Sequence, residues 1–223
     1  MTTSKLLAVE AVKSSRAQKA AATRQRMLDA AYDLFCEAGF RGTTMAAVAE
    51  RAGVAVQTVY FTFHTKDALL QEVHDQTVLG RDPTPPFAQP WWRAAAAEPD
   101  PQRAVAHVVL GVQEILARVA PMMPVFHAVA GDAAGEVYRH AEELRRNGMH
   151  DLVTQVLLPK GDKDTTMDPE EAAALVFVLL GPELYRSFVL DAGLSPDRWV
   201  SWTTATLNRD LFQRAGPNHP DAP

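Results

Sequence analysis

The stretch "GTTMAAVAERAGVAVQTVYFTFHTKDALL", residues 42–70, constrains this 223-residue chain more than any other part of it. Two short apolar pieces are joined there by a single glycine, Gly53, and the aromatics Tyr60, Phe61 and Phe63 then crowd into one helical turn. Thr43 or Thr44 can cap a helix running to about Ala52, with Val48 and Ala49 on its buried face. Gly53 can adopt the left-handed conformation that ends a helix, and Val54 turns the chain inward. A second short helix over about 55–61 follows. Thr65 then caps a longer one that begins at Lys66, with Asp67 at its positive dipole end and Leu69, Leu70 and Val73 facing a core. Helix, glycine turn, helix is the spacing of a helix-turn-helix.

The aromatic crowding divides by helical geometry. Val59 and Phe63 lie four apart and share the buried face. Gln57, Thr58, Phe61 and Thr62 then turn outward, with Tyr60 at the rim. A rim phenol can donate to a phosphate, and an outward phenylalanine can lie against a sugar or a thymine methyl. The blander alternative is that Tyr60 and Phe61 pack on the helix from Lys66.

Net charge is −5, which by itself argues against a nucleic-acid partner, but the charge is unevenly spread. Residues 1–70 carry nine Lys and Arg against six Asp and Glu (+3), and residues 71–223 carry thirteen against twenty-one (−8). A basic end on an acidic body is the asymmetry expected when one end faces phosphate. A solvated basic tail has the same composition. The single cysteine, Cys36, excludes an intramolecular disulfide and suits a reducing compartment. It has no neighbouring histidine on its helix and reads as an ordinary small residue. The longest uncharged apolar run, 172–182, is about half of what a membrane helix needs, and no basic start followed by an apolar stretch marks a signal peptide. A cytoplasmic protein with no membrane partner is expected.

Proline sets the next boundary. None occurs before Pro83, and six then fall in "PTPPFAQPWWRAAAAEPDP", which reads as a long connection between two helical domains. Apolar residues recur at helical spacing and strand-like alternation is missing, so the fold is expected to be all-α. Residues 1–20 read as a flexible basic tail. A helix from about Thr23 places Met27, Ala31, Leu34, Phe35 and Ala38 on one face. Gly39 can stop it, with Phe40 folding back on Phe35.

At this point the residues resemble a family. From about Thr23 to Val73 the chain is similar to the DNA-binding segment of TetR-type transcriptional regulators. The likeness rests on Gly39-Phe40, Thr43-Thr44, Ala49, Ala52-Gly53-Val54, Thr58-Val59-Tyr60, Phe63, Lys66 and Leu69-Leu70. It implies an all-helical homodimer reading a pseudo-palindromic double-stranded DNA operator. The domains it implies are a helix-turn-helix domain over 21–82 (motif about 44–63), an effector-binding and dimerisation domain over 83–216, and a tail over 217–223. Thr43 and Thr44 match the phosphate-contacting start of the family's second helix, and Met45 stands where some members reach a base. Val56, Gln57, Thr58, Phe61 and Thr62 match the groove-facing recognition helix. Tyr60 and Lys66 match a phosphate-holding tyrosine and lysine, and His64 stands where a polar residue often lies near the backbone. Two departures matter. Ala55 replaces the usual serine, removing a side-chain cap, and Val56 with Phe61 makes the reading surface apolar. Gln57 is left as the one side chain able to make a bidentate base contact, so an operator read partly through thymine methyls and shape is expected.

The rest of the chain is less distinctive. Periodicity predicts helices over 102–119, 122–129, 133–158, 169–191 (kinked at Pro182) and 196–214. The resemblance implies that the last two pair with a second copy. Trp91, Trp92, Met122, Met123, Phe126, His127, Met149 and Phe177 are candidates for an effector pocket, which points to a small apolar effector. Plain core packing explains each of them as well. Asp132, Glu136 and His140 recur every four residues, but no second ligand cluster accompanies them, so neither a metal nor another cofactor is expected. Phosphate-binding glycine loops and hydrolase motifs are missing, so no catalytic residues are assigned and an enzyme is not expected. Two function classes remain: a ligand-released repressor, and a helical small-molecule-binding or interaction protein that has lost DNA binding.

Overall fold

The computed structural model describes residues 3–80, 84–130, 134–162 and 167–212, with side chains from Arg16 onward. Helices make up nearly all of it, and no strand occurs among the described residues. The expected tail is not what residues 3–20 form. Helix α1 runs from Thr3 to Gly42, with a break at Gly39 (φ 69°, ψ 176°). Alanines at 17, 20, 21 and 22 favour helix without needing a core to support it, which explains why a polar, basic stretch continues helical. Past Gly39 the chain turns so that the Phe40 ring stacks on Phe35, centroids 5.9 Å apart.

Local chemistry sets the next three helices. Thr44 caps α2 (Met45–Ala52), its hydroxyl accepting from the Ala47 N–H at 3.1 Å. Gly53 (φ 67°, ψ 43°) ends it in a Schellman motif, with Gly53 N–H donating to the Glu50 carbonyl and Val54 N–H to that of Ala49. Helix α3 (Val56–Phe63) starts at Ala55 with no side-chain cap. Thr65 caps α4 (Lys66–Leu79) by accepting from Ala68 N–H.

The proline-rich stretch is more structured than its composition suggests. It holds helix α5 (Pro90–Ala97), because a proline at the first helical position lacks only an N–H that would have no partner there. Four alanines then carry the helix on. Next come α6 (Pro101–Val119), capped by Asp100, and α7 (Met123–Val129). Helix α8 (Ala134–Asp151) continues through a π-turn at Leu152–Leu157. Helix α9 (Pro169–Leu179), capped by Asp168, bends by 40° into α10 (Pro182–Tyr185) and a second π-turn to Asp191, as Pro182 predicts. Helix α11 (Pro196–Phe212) closes the described chain. The tail over 217–223, the boundary at Pro83 and Asp132 lie outside the described residues.

Two cores hold these helices. The first joins the buried faces of α1 to α4, through Met27, Phe35, Val48, Val59, Phe63 and Leu70, to Val119, Met122, Phe126 and Val129 at the end of α6 and in α7. The second joins α5, α6, the π-turn after α8, α9 and α11, with Trp199 and Tyr185 in edge contact at 5.0 Å between ring centroids. Helix α6 belongs to both, so the N-terminal helices are packed onto the body rather than strung from it. The continuous stretch Pro101–Val129 is long and apolar enough by composition to cross a membrane, unlike the shorter uncharged run noted above. More than half of its most apolar window is buried between the two cores, as expected for a central core helix.

Candidate nucleic-acid interface

Helix α3 is anchored by one face and bare on the other. Val59 and Phe63 are buried in the first core, and Val56 also packs against it from the rim. Gln57 and His64 are exposed, Tyr60 is 51% exposed and Phe61 84%. Phe61 therefore does not pack on α4. Thr58 and Thr62 are half-buried, and the Thr62 hydroxyl donates back to the Thr58 carbonyl at 2.8 Å, so it is already engaged within the helix. What α3 offers outward is an amide, a phenol and an apolar ring at 57, 60 and 61, with the exposed His64 imidazole just past its end.

The turn after α3 is strained. His64 has φ 62° and ψ −55°, and Thr65 N–H donates to the Phe63 carbonyl at 2.6 Å across it. That is a γ-turn of the rare, positive-φ kind. It reverses the chain within one residue, which brings the Thr65 cap and α4 directly after α3.

Three of the expected contact residues point elsewhere. Met45 is 6% exposed, a member of the first core, and cannot reach a base: the first turn of α2 faces α1, and a long apolar side chain is more stable there than in water. Thr43 is 1% exposed and donates its hydroxyl to the Gly39 carbonyl at 2.9 Å, helping to close the end of α1. Lys66 turns inward as well. Its ammonium donates to the carbonyls of Phe40 (2.8 Å) and Thr43 (3.0 Å) and lies 4.3 Å from the centre of the Phe40 ring. Thr44 is exposed at the N-terminus of α2, so of this group it alone faces outward.

The basic surplus of the N-terminal part is also partly spent internally. Arg51 forms a bidentate pair with Glu37 at 2.8 Å, which holds that carboxyl below its usual range. Arg24 pairs with Glu72, and Arg26 donates to the Ala52 carbonyl. Arg16 and Lys19 are exposed on the long first helix.

Residues 27–73 match the family described as "Bacterial regulatory proteins, tetR family". The likeness to that family is carried by this helix-turn-helix segment, about a fifth of the chain. The chain is 38% identical over 63 residues to the uncharacterized HTH-type transcriptional regulator YdeS of Bacillus subtilis (strain 168). That match spans 28% of this chain and 32%, about a third, of the relative's length. Likeness of fold extends beyond that segment, over 84–89% of the chain. NalD of Pseudomonas aeruginosa, described as the secondary repressor of the MexAB-OprM multidrug efflux pump, superposes with a TM-score of 0.66 at 22% identity, over 89% of this chain and 100% of that one. A TetR-like transcriptional regulator from Rhodococcus sp. RHA1 gives 0.58 at 21%, over 84% and 94%. At such identities the likeness speaks for the fold.

The residues considered for an effector pocket are scattered. Met122, Met123 and Phe126 are fully buried in the first core, and Trp91 and Trp92 pack on the second beside Met149. The indole of Trp91 stands against Gly111, where a Cβ would overlap it at 2.0 Å, so the glycine makes room for the ring. His127 pairs with Glu183 at 2.6 Å. Phe177, held under the guanidinium groups of Arg145 (3.6 Å) and Arg146 (4.2 Å), borders a cleft of about 270 Å³ between α8 and α9. Of the eight, Phe177 alone lines this cleft or the one where α1, α4 and α6 meet.

Proposed function

We propose that this chain is a DNA-binding transcriptional regulator, acting as a repressor, which works as a dimer and sets α3 of each copy into the major groove of a pseudo-palindromic operator. The bare outer face of α3 carries the reading: Gln57, Tyr60 and Phe61 are exposed on a helix whose other face is locked by Val59 and Phe63. A bidentate amide can select adenine, an exposed ring can lie on a thymine methyl, and a phenol can hold a phosphate. Thr44 and the helix N-terminus it caps add a second phosphate contact. Val178, Leu190, Leu194 and Trp202 are exposed apolar residues on α9, the turn after α10, its following loop and α11, and they supply the face on which a second copy pairs. Such a protein works in the cytoplasm, where its DNA is. Release by a small-molecule effector belongs to the same reading.

One observation favours the alternative of a helical binding protein without DNA affinity: Arg24, Arg51 and Lys66 are all spent on internal partners. Fluorescence anisotropy with a labelled 30-base-pair duplex of random sequence separates the two. The regulator binds at low salt and loses affinity steeply as salt rises. No binding at 50 mM salt would leave only the alternative.

A further inference from the structure

Among the described residues, four of the five with positive φ are glycines, at 39, 53, 80 and 193. The fifth is His64 (φ 62°, ψ −55°), in the γ-turn between α3 and α4. Glycine adopts such a backbone freely, whereas the Cβ of any other residue is strained there. A histidine at this point therefore makes the free protein less stable than a glycine would. The fold gains nothing from the imidazole in return. His64 is exposed, and among the described residues its ring has no hydrogen-bond, ion-pair or stacking partner. The bonds that close the turn, His64 N–H to the Tyr60 carbonyl and Thr65 N–H to that of Phe63, are main-chain bonds that glycine would make equally. Strain that no internal contact offsets points to a partner outside the chain.

We propose that the His64 imidazole donates its N–H to a DNA phosphate at the edge of the groove that α3 enters, once in each half-site. The inference rests on α3 being the reading helix. The eight residues of α3 span about 12 Å, which matches the roughly 12 Å width of the major groove. A side chain just past the end of that helix, on a turn that leaves it, meets the sugar–phosphate strand rather than a base. Imidazole carries an N–H in its neutral and its protonated form alike, so the donor is always present. The γ-turn fixes the direction in which Cβ leaves the chain, and the ring is presented without ordering a loop. This end of α3 otherwise lacks a cationic donor, because the Lys66 ammonium is held by the carbonyls of Phe40 and Thr43.

The test pairs substitutions in the protein with substitutions in the DNA, using the full chain. His64→Gly should raise the melting temperature of the free protein, because the strain goes with the Cβ. It should also weaken binding to selected and random-sequence duplexes alike, by about ten-fold for each half-site, with base preference unchanged. His64→Gln keeps an N–H donor and the strain, so it should recover most of the affinity and none of the added stability. Duplexes in which single phosphates are replaced by uncharged methylphosphonates then locate the contact. One position in each half-site should weaken the parent when replaced and be silent in His64→Gly, an outcome that a purely structural role for His64 would not produce. Equal affinity of parent and His64→Gly, a fall in melting temperature, or a phosphate profile that the substitution leaves unchanged would overturn the proposal and leave the regulator standing. A parent that binds no duplex would overturn both.

Discussion

The Lys66 ammonium lies 2.8 Å from the Phe40 carbonyl and 4.3 Å from the centre of the Phe40 ring. The first turn of α4 is thereby fastened to the end of α1, and with the second bond, to Thr43, to the start of α2. Charge-assisted bonds of this kind contribute roughly 1.5–3 kcal/mol each, and leaving the two carbonyls unpaired adds to the loss. Lys66→Met should therefore lower the melting temperature of the free protein by several degrees, at about 2–4 °C per kcal/mol for a chain of this size. Calorimetry without DNA checks it. A lysine that served phosphate alone would leave the melting temperature where it was.

The base-reading roles separate by substitution. Gln57→Ala should relax selection at one base pair in each half-site, at a cost of about 1–3 kcal/mol apiece. Phe61→Ala should weaken the preference for thymine over uracil at its contact, because the ring touches the methyl that uracil lacks. Affinities for duplexes with single thymine-to-uracil changes measure this. If both variants kept the parent's preferences, α3 would not be the reading helix.

Helix α3 lacks a side-chain cap at Ala55, whose backbone is already extended (φ −69°, ψ 144°) as a capping residue requires. Ala55→Ser should therefore stabilise the free protein by about 1 kcal/mol. The melting temperature should rise by a few degrees, with base preference unchanged. A fall would mean that the serine cannot reach the N–H groups of the first turn.

The contact between α1 and α6 carries a titratable signature. Burial, above all, pushes the Tyr32 phenol up to about 12, with further contributions from Cys36 and Asp33. The folded pKa lies above the ordinary value of 10.0, so the protein favours the neutral phenol. The stability this gives is complete below pH 10 and is lost as pH rises through 12. Tyr32→Phe should cost about 1 kcal/mol at neutral pH, by removing the bond to the Arg118 carbonyl. It should also shrink the alkaline loss between pH 10 and 12. The Tyr138 phenol is likewise raised by burial, so the comparison is between the two proteins across that window. Identical alkaline profiles would place the Tyr32 phenol in water.

What could be read from the sequence was what neighbouring residues decide between themselves. Thr44 and Thr65 cap their helices through an N–H three residues on, Gly53 needs only its own freedom to go left-handed, and Phe40 meets Phe35 across one turn. Errors came where distant partners decide. Met45 turns inward because α1 covers it, and Lys66 does so because the end of α1 and the residue before the Thr44 cap each present a carbonyl that no local pattern announces. Helix α5 was hidden by prolines whose position at a helix start makes them harmless. The cleft where α1, α4 and α6 meet takes its lining from residues 28 to 118, so its polar groups, though each visible in the sequence, could not be assembled from it.

The central claim, that two copies of α3 read one operator, is tested most directly by selecting bound duplexes from a random library with the full-length protein. The account predicts enrichment of a pseudo-palindrome with thymines in each half-site and half-site centres about 34–36 Å apart, one turn of DNA, or a multiple of that. Binding without sequence enrichment, or enrichment of a site lacking two-fold symmetry, would contradict it.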